Sequence, residues 1–433
     1  MNKKFHFPIT GKKAAWMIAA GVTLAGLESG APPLGTQHEM VQPVATTLRV
    51  QQINPTTVEV FFQDNKCIVF DFYGDNIFRM FRDDQGGILR SPASTPPARI
   101  LVAQPRAKSV NVQATTEGNA AVIQSGKVTI RIDGTSRLMT VTENETGKVL
   151  LEEYAPVAFG KGKTTLTLKI HEGEYFYGGG VQNGRFSHKG KSIAIENTNN
   201  WVDGGVASPT PFYWSTAGYG ILWHTFRPGI YDFGATEQGK AMLSHNEDYL
   251  DLFIIAGNTA TELLDGFYQL TGQPVLLPKF AFYEGHLNAY NRDYWKEDST
   301  GTILMEDGKR YKESQKDNGG IKESLNGEKN NYPFSARAVI DRYAAHDMPL
   351  GWILPNDGYG AGYGQDSTLE GNIRNLKAFG DYARKHGVEI GLWTQSDLYP
   401  KEGIEALLQR DIIREVRDAG VRVLKTDVAW VGA

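Results

Sequence analysis

Cysteine is nearly absent. Cys67 is the single one in 433 residues, so no intrachain disulfide can form, even where an exported protein would allow one. Stability has to come from packing. Cys67 sits in the apolar stretch Cys67-Ile68-Val69-Phe70 and reads as a buried thiol. Net charge is scarce as well: a formal −4 gives no electrostatic reason to expect nucleic acid or an anionic membrane as partner. The 9 histidines show no paired metal-ligand spacing, which argues against a zinc site. Internal repeats and low-complexity tracts are missing, and long helical periodicity is missing between about residues 47 and 255. The apolar run Ala14 to Leu27 falls short of the roughly 20 residues that a bilayer-crossing helix needs.

What is present fits a soluble multidomain chain. Hydrophobic residues make up 41% and charged residues 22%, ordinary globular proportions. The length calls for two domains plus a leader. Aromatics reach 11%, which suits stacking on sugar rings and a large β-rich core equally. Residues 1–31 read as a signal peptide. Lys3, Lys4, Lys12 and Lys13 form a basic start, the apolar run follows, and Ser29, Gly30 and Ala31 supply small residues before Pro32 and Pro33. A signal anchor is the alternative. Residues 32–46 are a polar, proline-containing flexible leader.

From 47 to 258 short alternating strands dominate. Val58, Val60 and Phe62 alternate with their neighbours, as do Val128, Ile130 and Ile132, and Asp133-Gly134 predicts a two-residue hairpin turn. A β-sandwich is the expected architecture. Leu263, Leu264, Phe267, Tyr268 and Leu270 then fall at helical spacing. Thr259 or Thr261 is placed to cap that helix and Thr271-Gly272 to end it, inside a helix-and-linker segment at 259–278. Beyond it strands and helices alternate: strand candidates at 280–286, 349–355, 388–394 and 421–426, helix candidates at 335–346, 368–386 and 403–419. A polar insertion at 296–332 reads as an excursion or mobile lid. The rhythm is that of a parallel sheet, best a (β/α)8 barrel over 279–433. Such a barrel takes about 250 residues, and only the first four strands fit here, so the chain is expected to be a fragment.

The carboxyl ends of those four strands carry His286 and Asn288, then Asn356 and Asp357, then Trp393, Gln395 and Asp397, then Lys425 and Asp427. In a barrel these ends converge on one mouth. Lys425 and Asp427 are two apart on a strand and so face the same way. The lysine favours the ionised carboxylate, which can attack an anomeric carbon or stabilise an oxocarbenium ion. A structural Lys–Asp pair or a helix cap fits the same spacing.

At these residues the chain resembles glycoside hydrolase family 31, the α-glucosidase and α-xylosidase family, whose nucleophile ends the fourth barrel strand in a K-x-D segment. Here that is Lys425-Thr426-Asp427. Tyr175-Phe176-Tyr177-Gly178-Gly179-Gly180-Val181-Gln182 is similar to the family's YGLGEQ-like turn. Pro211-Phe212-Tyr213-Trp214-Ser215 with Gly218-Tyr219-Gly220-Ile221-Leu222 is similar to its paired strands, and Leu270-Thr271-Gly272-Gln273-Pro274 with Pro278 to its linker. The order of the motifs agrees over about residues 50 to 433.

The resemblance implies a galactose-mutarotase-like sandwich followed by a barrel. It implies a retaining α-glycosidase that hydrolyses α-glucosidic bonds of oligo- or polysaccharides through a covalent glycosyl-aspartate on Asp427, with Lys425 supporting the nucleophile. Asp357, Trp393, His286, Asp397 and Trp214 would bind substrate, with Tyr213 and Trp201 also drawn from the sandwich. For each of those aromatics core packing is the competing reading. His286, Asn288 and Arg292 are similar to members acting on α-1,3- and α-1,6-linked glucans or cyclic glucotetrasaccharides. No cofactor and no metal is implied, and the partner is an α-linked glucan. The acid/base carboxyl would lie beyond Ala433. An α-glucosyl or isomaltosyl transferase shares the same residues, and a non-catalytic carbohydrate-binding protein or inactive fragment is the alternative of a different class. Lys3 to Trp16 resembles the extended signal peptides of Gram-positive lactic acid bacteria, which implies a secreted or cell-surface protein of a Gram-positive bacterium.

Overall fold

The computed structural model describes residues 48–83, 98–198, 200, 202–287, 293–315, 321–322, 332–354, 368–395 and 411–427. The chain divides into two units, residues 1–272 and 273–433.

The first unit is a sandwich of two antiparallel sheets. One has eight strands, in the order Leu48–Asn54, Thr57–Phe62, Cys67–Gly74, Ile77–Asp83, Tyr249–Ala256, Tyr219–Trp223, Val206–Ser215 and Phe176–Gln182; the other has nine. The alternation in the sequence is what builds it. Val58, Val60 and Phe62 turn inward with Phe70, Phe72 and Phe78, and meet Ile130, Ile132, Val141, Leu166 and Leu168 from the facing sheet. This one-sided burial fixes the register, since a one-residue slip would put every inward side chain in water. Cys67 is buried against Val69 and Phe81.

Asp133-Gly134 does not make the two-residue turn its composition predicts. The reversal runs to Leu138, the Arg137 N–H donates to the Asp133 carbonyl, and Arg137 rather than the glycine takes positive φ, 63°. The cause is the Asp133 side chain, whose Oδ1 accepts from the Thr135 and Ser136 amides and the Ser136 hydroxyl. That local set of bonds competes with the tight turn and wins.

The helix Ala260–Thr271 begins at Thr259, whose hydroxyl accepts from the Glu262 amide, and ends at Gly272 with φ 96°. Both ends follow from the capping residues. Leu263 and Leu270 pack on Ile77, Phe212, Leu222, Phe253 and Ile255, covering part of the outer face of the eight-stranded sheet.

The second unit is built on four parallel strands, Glu284–Leu287, Leu350–Leu354, Glu389–Gln395 and Val421–Asp427, hydrogen-bonded in chain order. Helices Ala336–Ala345, Leu369–Lys385 and Ile412–Arg417 alternate with them. Ser335, Thr368 and Asp411 each cap a helix by accepting from the third amide beyond. The first strand starts later than its apolar run predicts. Residues Lys279–Phe282 form a single 3-10 turn, and the Phe280 carbonyl comes so near Gly351 that a Cβ there would lie 2.1 Å from it. The polar insertion takes regular form: Asp293–Glu297, Ile303–Leu304, Arg310–Gln315 and Ile321–Lys322 make a small antiparallel sheet. Tyr311 in it is buried edge-on to Phe334, ring centroids 4.9 Å apart, and Glu306 pairs with Arg342 at 3.1 Å. Among the described residues no helix is long and apolar enough to cross a membrane.

Candidate active site

The parallel sheet has two distinct faces. Ile353, Ile390, Leu392 and Val421 pack with Val339 and Ile340 of one helix and Leu376, Phe379 and Ala383 of another, so this is the helix side. The strand pairing sets Leu392 opposite Leu424, Trp393 opposite Lys425, and Gln395 opposite Asp427. A register shift lies between Ile390 and Gly391, where Val421 and then Val423 are the partners. Leu424 packs with the helix-side cluster, so the period of two sets positions 393, 395, 425 and 427 on the other face. That face is crowded at the first two strands, where the Trp352 indole would meet a Cβ on Gly285 at 2.2 Å. Only glycine fits there.

Lys425 is partly buried on this second face and Asp427 is the last residue of its strand. The side chains of Asp427, Trp393 and Gln395 lie outside the described residues, as do Asn288, Arg292, Asn356, Asp357, Asp397 and Trp201. His286 is half-buried and turned to the helix layer. Its Nδ1 is 3.3 Å from the Tyr343 hydroxyl and the two rings meet edge to face. Burial and the nearby Arg342 charge lower its pKa, which favours a neutral ring. Sequence reasoning missed Tyr343, which sits 57 residues away and carries no local signal.

In the sandwich, Tyr213 is fully buried among Phe176, Tyr219 and Phe233. It is a core residue, and the competing reading holds for it. Trp214, next along the strand, faces outward and stacks on Tyr177 with ring centroids 4.5 Å apart. Among the described residues no group of three or more His, Cys, Asp or Glu stands close enough to hold a metal ion.

Residues 67–232 match the model of the glycosyl hydrolase 31 N-terminal galactose mutarotase-like domain. The sandwich unit thus carries the N-terminal domain of glycoside hydrolase family 31. Among curated relatives, an α-xylosidase of Emericella nidulans is 28% identical over 148 residues, 33% of this chain and 18% of that protein. A family 31 dextranase of Flavobacterium johnsoniae, solved with isomaltotriose, shares the fold at 15% identity and TM-score 0.59, over 81% of this chain and 38% of that one. The cycloalternan-forming enzyme of Listeria monocytogenes, solved with a pentasaccharide substrate, does so at 16% identity and TM-score 0.58, over 86% and 34%. The chain thus spans less than half the length of each of these three proteins.

Proposed function

We propose that this chain carries the nucleophile half of a retaining α-glycosidase acting on α-linked glucose oligo- or polysaccharides. The observation that carries the reading is the register of the last two parallel strands, which sets positions 393, 395, 425 and 427 on one face with Asp427 at the carboxyl end. In a (β/α)8 barrel that end is where chemistry collects, and we take the four parallel strands as the first half of one. Asp427 would attack the anomeric carbon from the side opposite the leaving oxygen and form a glycosyl ester, which water then opens with overall retention. Lys425 would favour the ionised carboxylate. Trp393, Asp357 and Asp397 would line the sugar site. The contact of His286 with Tyr343 supports a positioning part for that histidine, holding the end of the first strand. A retaining mechanism also needs a second carboxyl group about 5 to 5.5 Å from the first, and no residue of this chain is given that role. The basic start and apolar run of residues 1–31 support a reaction outside the cytoplasm.

The test is incubation of the protein with 5-fluoro-α-glucosyl fluoride, followed by peptide mass mapping. Fluoride leaves without being protonated, so trapping does not depend on the acid/base group. A label on Asp427 is the expected result. A label on another carboxylate would end the strand-four assignment.

A further inference from the structure

The outer face of the edge strand Phe176–Gln182 carries a row of aromatic rings that the reaction does not use. Phe176 points into the core and is fully buried, so Tyr175 and Tyr177 on either side of it emerge on the outer face. Tyr177 stacks on its cross-strand partner Trp214, planes 25° apart. Phe186 closes on Tyr177 edge to face, centroids 5.5 Å apart at 66°. Trp214 is itself anchored, partly buried against the apolar cluster that includes Phe212, Leu222 and Phe253. The rings are held in place yet open, with Phe186 86% and Tyr175 45% exposed. The Lys189 ammonium sits 4.5 Å over the Tyr175 ring, which puts a hydrogen-bond donor at the rim.

We infer that Tyr175, Tyr177, Trp214 and Phe186 form a stacking platform for the pyranose rings of an α-linked glucan, a binding surface carried by the sandwich unit itself. The inference rests on the glucan-acting reading above. Fixed aromatic faces match the flat C–H face of a pyranose and lose little side-chain freedom on binding, and the lysine can serve the hydroxyls at the ring edge. A folded protein partner fits less well. A strip one ring wide falls short of the roughly 800 Å² per side that a stable protein interface buries.

Affinity electrophoresis of the intact protein through gels with and without dextran or soluble starch tests this. Retardation by polymer is expected. Phe186→Ala should weaken it about tenfold, the loss of one stacked ring, while kcat/KM on a small aryl α-glucoside stays unchanged and Phe186→Tyr retains binding. The platform is overturned if neither polymer slows the wild type, or if Phe186→Ala is slowed as much as the wild type. It is also overturned if Phe186→Ala lowers the melting temperature by several degrees, because the ring would then be covered by protein. Retardation without any label on Asp427 would sink the glycosidase reading and leave the platform standing; a label without retardation does the reverse.

Discussion

Asp427 stands opposite Gln395, the two closing neighbouring parallel strands at their carboxyl ends. The same register sets Lys425 opposite Trp393 one period earlier. If Asp427 forms the glycosyl ester, Asp427→Asn removes the attacking oxygen charge and keeps the shape. Turnover of an aryl α-glucoside should fall by on the order of 10^4 or more, while the melting temperature holds. Steady-state kinetics beside a thermal scan decides it; activity within tenfold of wild type would remove Asp427 from the mechanism.

Lys425 acts in this reading through charge. Lys425→Met keeps the length of the side chain and deletes the cation that favours the carboxylate, so the acid limb of the kcat/KM profile should move to higher pH. The sign follows because a carboxylate without its cation is harder to ionise. A packing role alone would lower activity at every pH and leave the limb where it was.

Gly180 makes a backbone prediction that separates space from conformation. Its φ is 79°, and a Cβ there would fall 2.1 Å from the Ser208 carbonyl oxygen. Gly180→Ala should destabilise the sandwich by about 3 kcal/mol, since strain and a backbone clash add. Gly239 has a similar φ, 83°, with nothing within 4 Å, so Gly239→Ala should cost only about 1 kcal/mol. Denaturation midpoints of the two variants measure the difference.

How much of this the sequence carries depends on how local the cause is. Val58, Val60 and Phe62 announce a buried strand face because the period of two is the physical requirement itself. Thr259 and Gly272 mark their helix ends because capping acts within a single turn. Asp133-Gly134 misleads, because three bonds to the Asp133 carboxylate outweigh what the glycine would permit. His286 and Trp214 show the limit. Both are visible as candidates, yet the groups they touch, Tyr343 and Tyr177, are set by strand and helix pairings across dozens of residues. The Lys425 and Asp427 spacing was legible, but their alignment with Trp393 and Gln395 required the register, which the sequence alone does not fix.

His245 yields the pH prediction. It is fully buried, its Nδ1 is 2.8 Å from the Arg227 carbonyl and its Nε2 is 3.0 Å from the Tyr231 hydroxyl. The neutral ring satisfies both, with Nδ1–H donating and Nε2 accepting. Burial is the main reason its pKa drops from 6.5 to about 4. A folded pKa below the unfolded one means the unfolded chain binds more protons in between, so stability is full above about pH 6.5 and is lost as pH falls toward 4. The loss should reach about 3 kcal/mol. The Trp223 ring lies 4.7 Å from the imidazole, so its fluorescence can follow unfolding at each pH. His245→Gln, which cannot titrate, should lower stability at pH 7 and flatten the slope between pH 6.5 and 4; a slope unchanged in the variant would assign the acid sensitivity to other groups.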